Sequence, residues 1–180
     1  MAFGADRAVL IQTNEEIDQA IQPIHVAKVL KAIVEKEKHD LVILGKQSID
    51  DDYNQTGQML ASLLGWPQAT FISKIEFKPE ENSFYIEREI DGGIQKLMVP
   101  ANSIITCDLR LNKPRIPRLP NIMKANKTPI EIIKLDTFDL KSALGIKIVE
   151  VNEPPKRKGG VIVSSVDELI DKLRNEAKVI

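Results

Sequence analysis

Gly45-Lys46-Gln47-Ser48-Ile49-Asp50-Asp51-Asp52-Tyr53-Asn54-Gln55-Thr56 gathers the side chains best suited to holding a small charged ligand. Lys46 brings a cation, and Gln47, Ser48, Asn54, Gln55 and Thr56 bring short polar groups. Such a set suits a nucleotide phosphate where a helix N-terminus adds unpaired N–H groups. Asp50, Asp51 and Asp52 act against it, because three carboxylates repel a phosphate unless they point away, accept ribose hydroxyls or hold a cation. Read without a ligand, the same acids are favourable charge near a helix N-terminus, worth about 0.3–1 kcal/mol. The segment lacks the upstream glycine of a P-loop, and GxGxxG spacing is absent from the chain. From spacing alone the functional and structural readings are even.

Other reactive side chains carry less. His25 and His39 show no acidic or nucleophilic partner nearby in sequence and read as structural or solvated. Cys107 is the one cysteine and lies in an apolar run, which excludes a disulfide framework or a cysteine metal site within the chain. It reads as a buried, inert thiol. Glu87, Arg88, Glu89 and Asp91 read as a solvated hairpin edge rather than an acid–base cluster. No serine occupies a nucleophile-elbow motif. The residues alone therefore describe a nucleotide-binding α/β domain without evident catalysis.

The elements that must position the loop follow from periodicity. Residues 41–44 are apolar enough for a strand buried on both faces, and Thr56 is placed as N-cap of a helix carrying Met59, Leu60, Leu63 and Leu64 on one side. Upstream, residues 8–11 form a strand, and Pro23 opens a helix with Val26, Val29, Leu30, Ile33 and Val34 as its apolar stripe. Strand, helix, strand, loop, helix implies right-handed crossovers and a parallel sheet. After Gly65-Trp66-Pro67 the pattern alternates over 70–77, 83–90 and 94–99, with Asp91-Gly92-Gly93 as a hairpin turn, which gives an antiparallel meander. Residues 103–107 return to the sheet. Pro114, Pro117 and Pro120 then impose an irregular surface loop, followed by a short helix over 121–127. Together they make a basic, apolar-tipped projection of Arg115, Arg118, Leu119, Ile122, Met123, Lys124 and Lys127. Its lack of interleaved aromatics counts against nucleic acid. Strands are expected over 130–134 and 146–151, then an extended basic arm, then a helix capped by Ser165 and Glu168.

The 180 residues are 43% hydrophobic, enough for a real core, and the net charge of -1 suggests neither nucleic acid nor an anionic membrane as partner. No apolar run approaches the ~20 residues that cross a bilayer, so a soluble, intracellular protein without membrane insertion is expected. Residues 1–7 read like the end of a helix closed by Gly4 and run straight into a strand, so elements are expected to be missing upstream. The expected organisation is an incomplete nucleotide-binding domain over 1–151, and a C-terminal arm and helix over 152–180 that packs on a partner.

Several segments together resemble the beta subunit of electron transfer flavoprotein. They are Leu44-Gly45-Lys46-Gln47-Ser48-Ile49-Asp50-Asp51-Asp52 with Asn54-Gln55-Thr56-Gly57-Gln58-Met59, then Gly65-Trp66-Pro67-Gln68 and Glu87-Arg88-Glu89-Ile90-Asp91-Gly92-Gly93. Asp108-Leu109-Arg110-Leu111-Asn112 and Leu119-Pro120-Asn121-Ile122-Met123-Lys124 follow in the same order, so the similarity spans almost the whole chain. The resemblance implies a Rossmann-like fold of the adenine nucleotide alpha hydrolase kind. It implies a heterodimer with an alpha subunit that holds most of one FAD, and a structural AMP in the loop from Gly45 to Thr56. It further implies electrons that arrive from acyl-CoA and related dehydrogenases of fatty acid beta-oxidation and leave to electron transfer flavoprotein-quinone oxidoreductase, in the mitochondrial matrix or a bacterial cytoplasm. By the same resemblance Leu119, Pro120, Asn121, Ile122, Met123, Lys124 and Lys127 form the partner-docking region, with Leu119 as anchor and Lys124 and Lys127 matching methylated lysines. The family's front section, with its further AMP contacts and an aromatic residue near the flavin, has no counterpart here. A universal-stress or nucleotide-hydrolase domain is the competing reading, and an inactive fragment with an exposed sheet edge is another.

Overall fold

The computed structural model describes residues 1–13, 21–49, 52–138, 149–157 and 159–180. The chain divides into two compact units, Met1–Leu144 and Gly145–Ile180. The first is α/β. Its larger sheet holds five strands: β2 (Val42–Gly45), β3 (Gln68–Lys78), β4 (Ser83–Ile90), β5 (Gly93–Pro100) and β6 (Ile104–Cys107), in the order β2-β6-β3-β4-β5. The β2, β6 and β3 ladders are parallel, and β3, β4 and β5 form the antiparallel meander that the alternating pattern predicts. A second sheet pairs β1 (Val9–Gln12) with β7 (Glu131–Lys134) in parallel.

The strand buried on both faces is β6, not β2 as its apolar run suggests. Ile104 and Ile105 are both without solvent exposure, whereas Ile43 on β2 is 59% exposed. β2 pairs with β6 on one side only and stands at the sheet's margin, so its outward side chain meets water. Successive residues of a strand face opposite ways, and the two isoleucines seed two cores. Ile104 packs with Ala27, Leu60 and Ala61, and Ile105 with Ala69, Ile72, Ile86 and Val99. β4 has neighbours on both sides, so its Glu87, Arg88 and Glu89 do not lie on a sheet edge.

Helix α1 (Pro23–Glu37) starts with Pro23, whose missing N–H costs nothing in a first turn. Its buried side is His25, Ala27, Val29 and Val34, while Val26 faces outward at 38% exposure and so leaves the predicted stripe. His39 does find an acidic partner: its Nε2 is 2.9 Å from Oε2 of Glu37, and Arg7 bonds both Glu37 and Glu131. Helix α2 (Thr56–Leu64) begins one residue earlier than expected, because the Gln55 carbonyl accepts the Met59 N–H at 3.0 Å and so makes Gln55 the N-cap. Helix α3 (Leu119–Lys127) takes in Pro120 in its first turn and buries none of its residues. Met1 to Gly4 make a single turn, the Gly4 N–H donating to the Met1 carbonyl at 2.9 Å.

In the second unit, helix α4 (Val166–Asp171) is capped by Ser165, whose Oγ accepts the Glu168 N–H at 3.2 Å. The Glu168 carboxylate accepts from Ser164 N–H and Oγ instead of returning to Ser165. A wider turn, Lys172–Glu176, continues it, and Val166, Leu169 and Ile170 stay exposed. The strand expected over 146–151 falls largely outside the described residues, and 149–151 are not in a strand. No helix of the described residues is long and apolar enough to cross a membrane.

Gly57 lets α2 lie close on the sheet. A Cβ there would come within 2.5 Å of Thr106 Cγ2 and 3.4 Å of Leu44 Cδ1. Gly57→Ala is expected to cost about 1–3 kcal/mol through overpacking. Adding Thr106→Ser, which removes the clashing methyl, should recover part of that loss in urea unfolding midpoints; equal midpoints for the single and double variants would refute the contact.

Candidate functional site

The C-terminal ends of the parallel strands carry the site. Gly45 pairs with Cys107, Cys107 with Ile72, and Ile72 with Arg88, so four strands share one level across the sheet. The residues just past that level, Lys46 and Asp108, open the loops that follow β2 and β6. Ligands of open α/β sheets collect at this end because loops and helix N-termini converge there.

The loop after β2 closes on itself before it enters α2. Asp52 N–H donates to the Ser48 carbonyl at 3.2 Å, and Gln47 Nε2 donates to Asp52 Oδ1 at 3.1 Å. The Asp52 carboxylate thereby has an internal partner. Asp52 and Asn54 both take left-handed backbone, at φ 54° and 57°, a conformation that Asp and Asn tolerate better than most residues. Asn54 Oδ1 is buried and has no hydrogen-bond partner among the described residues. An acceptor left this way costs about 1–3 kcal/mol, so it is a place where a further donor would be favourable. Two residues on, α2 begins with no side-chain cap from Gln55, which leaves its first N–H groups directed at the loop. Ser48, Ile49, Tyr53 and Gln55 are exposed, and Thr56 is half-buried. Asp50 and Asp51 lie outside the described residues.

Lys46 points to the other loop. Its Nζ is 2.7 Å from Asp108 Oδ2, and the Asp108 side chain is only 1% exposed. The other carboxylate oxygen accepts from Arg110 N–H at 3.0 Å and from its Nε at 2.8 Å. These hydrogen bonds, those from Arg110 first and Lys46 next, hold the Asp108 carboxyl well below the usual carboxylate range. Arg110 in turn bonds Glu89 on β4. Sequence patterns missed this network; the available signal was an Asp-x-Arg directly after a buried strand.

Beside it lies a cleft of about 500 Å³ lined by Lys46, Phe71, Arg88, Glu89, Ile90 and Asp91. Phe71 has φ 56°, an outlier for a bulky residue, within the register shift of β3 against β6 between Ala69 and Ile72. Its N–H donates to Thr106 Oγ1 at 3.1 Å, and Arg88 sits 5.8 Å from its ring centroid while donating to Thr70 and Gln95. Cys107 is half-buried, and desolvation pushes its thiol pKa up, away from thiolate chemistry.

The proline-rich loop leads to α3, where Leu119 is 69%, Met123 54% and Ile122 37% exposed. Pro120, Asn121, Lys124 and Lys127 are exposed on the same short helix. The structure thus brings the predicted docking residues together as an apolar tip with basic flanks. Arg115 Nη2 donates to the Phe3 carbonyl at 2.8 Å and secures the loop to the start of the chain.

The electron transfer flavoprotein domain family matches residues 1–137. The relative from Arabidopsis thaliana, electron transfer flavoprotein subunit beta, mitochondrial, is 52% identical over 180 residues, covering 100% of this chain and 70% of that protein. The chain belongs to the electron transfer flavoprotein beta-subunit family. A family member from Bradyrhizobium diazoefficiens is 48% identical over the same share of each chain. The Homo sapiens electron transfer flavoprotein subunit beta is 44% identical over 179 residues, 99% of this chain and 69% of its own. This beta-subunit family is one of electron carriers.

Asp108 also gives the chain a defined acid response. Its depressed carboxyl contributes stability in full above its ordinary value of 3.8, and the contribution is lost as pH falls below that toward the folded value. Thermal melts from about pH 5 to about pH 2 should therefore fall more steeply for the wild-type chain than for Asp108→Asn. Parallel curves would remove the role assigned to the ion pair.

Proposed function

We propose that the chain serves as the beta half of a heterodimeric electron carrier whose alpha subunit holds FAD. The identity to beta subunits over the full chain is the observation that carries this reading. When bound, FAD supplies the redox centre that takes electrons from acyl-CoA and related dehydrogenases and yields them to electron transfer flavoprotein-quinone oxidoreductase. This chain's part is to hold AMP, to join the alpha subunit and to present a docking tip. No residue here is assigned to the flavin. The C-terminal unit, residues 152–180 in particular, is proposed to pack on the alpha subunit, a use that suits the exposed Val166, Leu169 and Ile170.

The loop from Gly45 to Thr56 fits AMP. Asn54 Oδ1 is a buried acceptor without a partner among the described residues, and a ribose hydroxyl or an adenine amine would satisfy it. The N–H groups at the start of α2 suit the phosphate. Gln47 holds Asp52, which turns that carboxylate toward the loop itself. Leu119 is proposed as the anchor entering a dehydrogenase pocket, with Lys124 and Lys127 as methylation sites; methylation retains the charge and tunes docking rather than abolishing it. The name of the Arabidopsis relative supports a mitochondrial site, with the matrix as the proposed compartment, while the Bradyrhizobium relative supports the bacterial cytoplasm as the alternative.

Three measurements test the reading. Asn54→Gly keeps the left-handed backbone and deletes the orphan acceptor, so it should weaken AMP binding by about tenfold while leaving the melting temperature nearly unchanged. Equal AMP affinity in the variant would disprove the assigned contact. Co-expression with an electron transfer flavoprotein alpha subunit should yield a yellow 1:1 complex, and a colourless chain that ignores the alpha subunit would sink the carrier reading. In that complex Leu119→Ala should lower kcat/KM with an acyl-CoA dehydrogenase by about tenfold or more, the cost of one unburied leucine at about 1.5–3 kcal/mol, with flavin content unchanged.

A further inference from the structure

Four charged groups alternate in sign along the rim of the sheet: Lys46, Asp108, Arg110 and Glu89. Asp108 is the one placed in the interior. Its backbone is held as well, its N–H donating to the Ile72 carbonyl at 2.9 Å and its carbonyl accepting from Leu111 N–H at 3.1 Å. Lys46 N–H donates to the Cys107 carbonyl at 3.1 Å, so Lys46 is tied to β6 by main chain and side chain together. A buried ion pair adds little net stability over an apolar substitute of the same shape, since desolvation offsets most of the attraction. What it does enforce is geometry, because a misplaced partner leaves a charge unpaired in the interior.

We infer that Asp108 is a positioning residue whose single carboxylate fixes the loop after β2 through Lys46 and the loop after β6 through Arg110, and so sets both the nucleotide-facing backbone and the root of the docking projection. This rests on the AMP and docking assignments proposed above. Lys46 then acts on a phosphate indirectly. Its ammonium is committed to Asp108, and the charge of a phosphate is met by N–H groups of the loop and of α2, whose positions Lys46 holds. The two ligand-facing loops share one anchor, so a change at that anchor reaches both, whereas loss of either cation reaches only its own loop.

Amide hydrogen exchange on the full chain tests this without reference to any ligand. Asp108→Asn should speed exchange in peptides covering both 46–56 and 109–118, by about tenfold or more, with the meander of β3 to β5 unchanged. Lys46→Met should affect the first loop alone and Arg110→Gln the second alone. Faster exchange in only one loop of Asp108→Asn, or an even increase through the meander, overturns the inference. Should Asp108→Asn fail to fold, the half-exposed Lys46 decides: unchanged exchange over 46–56 in Lys46→Met overturns it equally.

AMP titration supplies the readout that a purely structural role would not move. Lys46→Met and Asp108→Asn should weaken AMP by similar factors, and the double variant should be no weaker than the worse single one. A Lys46→Met loss well beyond that of Asp108→Asn would mean direct contact with phosphate and would overturn the indirect role. A wild-type chain that binds no AMP removes the AMP assignment, while the exchange comparison still decides the role of Asp108.

Discussion

Ile104 and Ile105 stand back to back on β6, both shut off from water, and the larger sheet takes its arrangement from that pair. One faces α1 and α2, the other the inner side of the meander, so a four-residue strand links two cores. Each buried isoleucine contributes about 1.5–3 kcal/mol, and neither can turn outward without emptying one side of the sheet. With β6 held so, β2 and β3 must flank it, and the loops that leave β2 and β6 must emerge side by side.

The site follows from that adjacency. Lys46 and Asp108 are 62 positions apart in the chain, and they meet because Gly45 and Cys107 are ladder partners. Helix α2 is drawn close by Gly57, which has no side chain to hold it off Thr106. Thr106 also accepts the N–H of Phe71, and Phe71 in its left-handed conformation lies in the register shift of β3 against β6. The left-handed backbone of Phe71 and the buried charge of Asp108 thus lie at the same end of the sheet.

The proposed docking tip is built on different terms. Helix α3 buries nothing, and its position comes from the proline-rich loop, from Arg115 on the Phe3 carbonyl and from a cleft of about 210 Å³ where Asn121, Lys124 and Thr128 meet residues of the chain's first turn. Pro114 and Pro117 restrict the backbone before the helix starts, Pro120 restricts its first turn, and all three lower the entropy lost on any docking. An exposed apolar tip on a stiff stem suits an encounter that has to form and release.

Local pattern was enough to specify most elements. The meander, α1, α2, α3 and the capped helix at Ser165 rest on periodicity, prolines and caps, all short-range properties that a linear chain displays directly. The donor-rich loop from Gly45 to Thr56 was visible too, because residue type alone marks it, and so was the exposed Leu119 region. Strand order was not visible. Apolar runs at 41–44 and 103–107 look equally suited to the interior, and only pairing decides that Ile105 is buried while Ile43 meets water. Asp108 escaped for the same reason, since a carboxylate gains its meaning from cations that the fold brings to it. The Asn54 side-chain carbonyl, without a partner among the described residues, is likewise buried only once the surrounding chain has closed over it. Sequence therefore determined the elements and the inventory of side chains, and tertiary structure decided which of them share a buried, low-dielectric neighbourhood, because burial and pairing belong to contacts between distant segments.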